Sequence, residues 1–137
     1  VVRAEVTEAP ISVTELADAV HDAAAGAVVT FEGVVRNHDA DRGVSGIGYS
    51  CHPTAGQIVK EIARDVAERR RVRALGVVHR VGDLAVGEAA LAVAVSSDHR
   101  AEAFATCGEI VEEVKKRLPV WKRQTFSDGT SQWSNLA

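Results

Sequence analysis

The 137-residue chain is 46% hydrophobic and 26% charged, an ordinary globular composition that suits a single domain over residues 1–137. Its net charge of −3 argues against a dedicated nucleic-acid surface, which would carry a strong basic excess. No apolar run is long enough to span a membrane and no signal-peptide pattern opens the chain, so a reduced, cytoplasmic protein is expected, without a disulfide between Cys51 and Cys107. The chain has no methionine, which leaves its true N-terminus open.

A first helix is predicted over "ISVTELADAVHDAAAG", residues 11–26. Ser12 and Glu15 have capping-box spacing, Ile11 and Leu16 fit a hydrophobic staple, and Gly26 suits the stop. "AVVTFEGVVR", residues 27–36, is β-rich, with Gly33 marking a candidate bulge. The polar "NHDADRG" reads as a surface loop, and "VSGIGYSCHP" as a second strand ending at Pro53. A second helix follows over residues 54–71, its apolar face built from Ile58, Ile62, Ala63 and Val66. "VRALGVVHRVG" is a strand, "DLAVG" a turn, and "EAALAVAVSS" a strand that is alternating or fully buried. A third helix covers 98–118 and stops before Pro119, with Ser97 or Asp98 placed to cap it. "VWKRQTF", "SDGT" and "SQW" suggest a closing strand or hairpin. The order α-β-β-α-β-β-α-β-β, with short turns between strands, implies an α+β domain with largely antiparallel pairing.

The candidate chemistry is cationic. At helical spacing Phe104, Gly108, Val111, Lys115 and Leu118 form one face of the third helix, and Lys115 interrupts it. Such a lysine either snorkels to water or aims its amine into a pocket as an acid, a base or an anion clamp. Strand alternation puts Trp121 in the core and allows Lys122 to face the cavity of Lys115. His99 and Arg100 fall at the start of the third helix, where a cation does not help the helix but an anionic ligand is welcome. Arg36 ends the first strand beside the polar Asn37 and His38. With Arg123, this basic set in an acidic protein suggests a phosphate- or carboxylate-bearing substrate. The histidines and cysteines lack metal-ligand spacing, and there is no P-loop, G-x-G-x-x-G or G-x-S-x-G motif. No metal and no cofactor are expected.

"GAVVTFEGVVRNH", "VVHRVGDLAVGE", "VAVSSDHRAEAF" and "KKRLPVWKR" resemble the large, catalytic subunit of molybdopterin synthase, in family order, from about residue 12 to residue 133. The resemblance implies an α/β hammerhead with an added antiparallel sheet. It implies a sulfurtransferase of molybdenum cofactor biosynthesis that converts cyclic pyranopterin monophosphate (precursor Z) into the dithiolene of molybdopterin. The sulfur would arrive as a C-terminal thiocarboxylate on a small ubiquitin-like subunit, within a heterotetramer built on a homodimer of large subunits. Carried over residue by residue, the family's catalytic lysines fall on Lys115 and Lys122. Its substrate-binding positions fall on Val34, Val35, Arg36, His99, Arg100, Lys115, Lys122, Arg123 and Gln124. Gln124 stands where an acidic residue is common, "YSCHP" matches loosely, and the chain ends soon after Trp133, so a family tail that packs on the partner is expected to be short or absent. The alternative is a non-catalytic phospholigand-binding or assembly module on the same fold, which would keep Arg36, His99 and Arg100 without needing Lys115.

Overall fold

A computed structural model describes residues 1–135 of the protein; Leu136 and Ala137 lie outside the described residues. In chain order the elements are β1 (Arg3–Thr7), α1 (Val13–Ala19), β2 (Ala27–Val34), β3 (His38–Asp39), β4 (Arg42–Cys51), α2 (Ala55–Arg69), β5 (Ala74–Arg80), β6 (Gly82–Ala85), β7 (Ala89–Ser97), α3 (Arg100–Arg117), β8 (Val120–Phe126) and β9 (Ser131–Asn135). They form a mixed α/β fold with two sheets, as expected. The first sheet runs β1-β5-β7-β2 and the second β3-β4-β8-β9, with β6 also paired to β4. Pairing is antiparallel throughout except for β1 against β5.

The first sheet is buried on both faces, which explains the nearly continuous apolar runs of β5 and β7. Leu75, Val77, Leu91, Val93 and Val95 face α2 and α3, which contribute Val59, Ile62, Val66, Cys107, Ile110 and Val114. Val78, Ala92 and Ala94 face α1 through Leu16 and Val20. Each valine, leucine or isoleucine among them, fully buried, contributes about 1.5–3 kcal/mol relative to exposure. Gly76 lets α1 sit close, because a Cβ there would lie 2.6 Å from the Leu16 Cδ1.

Several boundaries differ from expectation. β1 was not anticipated; its short, mixed sequence gains order from parallel pairing with β5. α1 has the expected cap, Ser12 Oγ accepting from the Glu15 N–H at 3.2 Å, and Ile11 does pack beside Leu16. It ends at Ala19 rather than near Gly26, because a turn follows in which Asp22 Oδ1 accepts from the Ala24 N–H at 2.8 Å. In α2 the innermost residues include Val59, while Ile58 is only partly buried. "DLAVG" contributes the short strand β6 against β4 instead of a turn alone. The expected irregularity at Gly33 is present: the β2–β7 register shifts between Gly33 and Val34 and leaves Ala90 unpaired. The closing hairpin is β8 and β9, turning at Gly129 with φ of 88°.

Candidate active site

The C-terminus of α3, the end of β2 and the inner face of β4 and β8 leave a cavity of about 320 Å³ between the two sheets. Lys115 from α3 and Lys122 from β8 both line it, together with Arg36 from the segment after β2. Both lysine side chains therefore border one space. Neither lysine has an ion-pair partner among the described residues, and Arg36 reaches Asp39 only at 3.9 Å. Three cations thus face one carboxylate, Asp39, inside a protein of net charge −3. Such a cavity attracts anions.

The route by which the lysines arrive differs from the sequence expectation. The buried stripe of α3 is Ala103, Thr106, Cys107, Ile110 and Val114. Phe104 is 64% exposed, and Lys115 lies beside the stripe, exposed, rather than within it. Its position next to the innermost Val114 at the last turn of the helix brings it to the cavity. Alternation in β8 is as expected and Lys122 lines the cavity, but Trp121 is not in the core. Val120, Gln124 and Phe126 point inward with the half-buried Lys122, whereas Trp121 is 43% exposed. β4 and β9 flank β8 and hold Lys122 opposite Tyr49 and Ser134.

The remaining candidates divide. Val34 lines the cavity, while Val35 is buried against Leu84 and Ala90 and hydrogen-bonds through its backbone to Gly87 and Glu88. Gln124 lines the cavity, and its buried Oε1 has no hydrogen-bond partner. Arg123 lies on the opposite face of β8, across from Trp133 on β9. His99 and Arg100 are exposed at the other end of α3, ~24 Å along the helix axis from Lys115 at 1.5 Å per residue. His99, rather than Ser97 or Asp98, occupies the N-cap position and makes no side-chain cap bond. Ser97 Oγ donates to the His99 carbonyl at 2.6 Å, and the Asp98 carboxylate is held by Arg73 at 2.6 and 3.0 Å.

Comparison with known proteins bears on this arrangement. The family model described as MoaE protein matches residues 6–117, most of the chain. The chain belongs to the MoaE family. Curated relatives named molybdopterin synthase catalytic subunit include that of Aspergillus clavatus, 38% identical over 94% of this chain and 66% of its own length. The Nostoc sp. relative is 35% identical over 96% and 81%, and that of Thermoplasma volcanium 32% over 94% and 95%. The crystal structure of molybdopterin synthase from Staphylococcus aureus superposes with a TM-score of 0.87 at 27% identity, covering 96% of each chain. The chain therefore shares the fold of the matched chain over nearly its whole length.

The MoaE match includes Arg36, His99, Arg100 and Lys115 and stops before Lys122. The cavity of this MoaE chain also contains residues that the sequence reading passed over. Tyr49 and His79 form its inner wall, their rings edge to face with centroids 5.3 Å apart. His79 Nδ1 lies 2.7 Å from the Arg80 carbonyl, so that nitrogen carries the proton. Burial lowers the His79 pKa to about 4 against that hydrogen bond, and burial raises the Tyr49 pKa. The signal for His79 was present in the sequence: Leu75 and Val77 set an inward row in β5, and His79 stands where it continues.

Proposed function

We propose that this chain, acting as a single domain, is the catalytic subunit of a molybdopterin synthase. It would transfer sulfur from the C-terminal thiocarboxylate of a small ubiquitin-like subunit to cyclic pyranopterin monophosphate (precursor Z), forming the molybdopterin dithiolene in the cytoplasm. The observation that carries the reading is the convergence of Lys115 and Lys122, from separate elements, on one cavity. A thiocarboxylate and a phosphate are both anions, and preorganised cations in a partly enclosed space stabilise developing charge better than water does. In this reading Lys115 positions the thiocarboxylate and stabilises charge as sulfur attacks the pterin side chain. Lys122 serves proton transfer or the substrate oxyanion. Arg36 holds phosphate, and Val34 and Gln124 contact the substrate; Val35 and Arg123 complete the binding segments that flank them.

His99 and Arg100 fit this reading only if a second copy brings its own α3 N-terminus to the cavity, since one chain holds them far from Lys115. A homodimer of large subunits within a heterotetramer would do so. β2 is an open edge of the first sheet, and Val28, Phe31 and Val34 are 45%, 36% and 48% exposed along it. Phe31 and Val34 also border the cavity, so the apolar edge adjoins the site. The small-subunit partnership has a parallel in a Helicobacter pylori structure titled as the complex of subunits 1 and 2 of molybdopterin-converting factor, a fold match with a TM-score of 0.73.

The test is product formation from precursor Z and thiocarboxylated small subunit. Lys115→Ala is expected to lower turnover by ~100-fold or more, with an unchanged melting temperature because the side chain is exposed. Undiminished turnover would remove Lys115 from the mechanism. Mixing Lys115→Ala with Arg100→Ala chains tests the shared site. One wild-type cavity per mixed dimer should restore up to about half of the activity per such dimer, and no recovery in a verified mixed dimer would exclude the shared arrangement.

A further inference from the structure

We propose that His79 is a substrate-contacting residue of this cavity, its Nε2 accepting a hydrogen bond from a neutral N–H or O–H group of the substrate, with Gln124 Oε1 a second acceptor lining the same cavity. The inference rests on the functional reading above, because it supposes that the cavity holds the substrate. It adds a division of labour. The cations Arg36, Lys115 and Lys122 take the anionic parts, and the neutral acceptors His79 and Gln124 read the hydrogen-bond donors of the uncharged part.

Three observations support it. His79 is 2% exposed and lines the cavity, so its free ring atom has little but the cavity contents to meet. Its Nδ1–H is committed to the Arg80 carbonyl at 2.7 Å, which fixes the tautomer and leaves a lone pair on Nε2. No protein group among the described residues donates to that lone pair. Independently, Gln124 Oε1 is a buried acceptor without a donor. Buried polar atoms are nearly always paired in folded proteins, so Gln124 Oε1 calls for a donor from a ligand, and His79 Nε2, which retains some accessible surface, offers a second acceptor lining the same cavity. Tyr49, edge to face with His79, holds the ring in place. The low pKa keeps Nε2 an acceptor at neutral pH even with two lysines in the cavity.

The experiment follows ¹⁵N-histidine resonances of the full-length wild-type chain during titration with precursor Z. The His79 Nε2 signal should begin at the position of an unprotonated nitrogen and move upfield on binding, while Nδ1 stays near its starting value. Variants give the affinity. His79→Asn keeps a short amide able to donate to the Arg80 carbonyl but has no atom at the Nε2 position; it should weaken binding by ~10-fold or more. His79→Gln, whose amide oxygen reaches about as far as Nε2, should recover most of that loss. Wild-type binding with an unmoved Nε2 signal overturns the inference even if His79→Asn does not fold. So does a folded His79→Asn chain that binds as tightly as wild type. Absence of binding in the wild type would bring down the functional reading itself, and this inference with it.

Discussion

Lowering the pH should weaken the fold through His79 by an amount that can be worked out in advance. The ring is 2% exposed, and burial moves its pKa from 6.5 to about 4. The unfolded chain takes up a proton near 6.5 while the folded chain resists until about 4, so the unfolded state binds more protons between those values. Stability contributed by the neutral ring is therefore complete above the unfolded pKa and falls as pH drops through the window. The loss is about 2 kcal/mol by pH 5 and about 3 kcal/mol by pH 4. Acidification also acts on carboxylates elsewhere, such as Asp98, whose pKa the Arg73 hydrogen bonds hold below its ordinary value. The comparison must therefore be with a chain that differs only at this ring. Urea unfolding of wild type and His79→Gln at pH 7 and pH 5, at equal protomer concentration, isolates the term. Wild type should lose about 2 kcal/mol more than the variant between the two conditions. If both lose the same amount, His79 is not buried as a neutral group, and the fixed tautomer argued for the cavity wall goes with it.

Two further outcomes test the packing. Gly26→Ala would set its Cβ 2.6 Å from the backbone carbonyl oxygen of Asp98, just before α3. Because backbone has to move, thermal or urea unfolding should show a loss of about 1–3 kcal/mol, whereas an unchanged midpoint would mean that the β2–α3 approach is looser than described. Cys51 is exposed and Cys107 buried, with burial pushing the Cys107 thiol up to about 11. Under native conditions a thiol reagent should therefore label Cys51 rapidly and Cys107 only on unfolding; rapid labelling of both, read by mass spectrometry, would contradict the α3 packing.

The elements with strong local signals were legible from the chain: the Ser12 cap, the two long helices, the apolar strands β5 and β7, and the irregularity at Gly33. The misses have physical reasons. In α3 the row through Phe104 looked like the core because phenylalanine is large. The true row, Ala103, Thr106, Cys107, Ile110 and Val114, contains no charged residue and no aromatic one to announce it. In β8 neither row is clean: Trp121 competes with Val120 and Phe126, and the inward row contains Lys122 and Gln124. Only the presence of a cavity makes that row tolerable inside, and a cavity is a tertiary property. The separation of His99 and Arg100 from the lysines was likewise invisible, although helix length alone already implies it once the helix is continuous.

That continuity also says something about how the cavity keeps its shape. α3 is fastened to α2 on either side of Lys115 in sequence. Glu109 receives Arg69 and Arg70, the latter at 2.5 Å, and Arg117 reaches Asp65 at 3.1 Å. Partly exposed ion pairs of this kind add little stability, about 1 kcal/mol each at most, so their effect is chiefly on register between the helices. Lys122 is held by other means, the backbone ladders from β8 to β4 and β9. The two amines thus hang from supports that are fixed independently, while neither has an ion-pair partner among the described residues. Rigid supports with unpaired amines suit the proposed transfer of sulfur to an anionic substrate, because placement is settled before binding and no ion pair found among the described residues has to break. Loosening the α2–α3 register should accordingly disturb Lys115 and leave Lys122 in place, which makes their contributions separable by mutation far from the cavity.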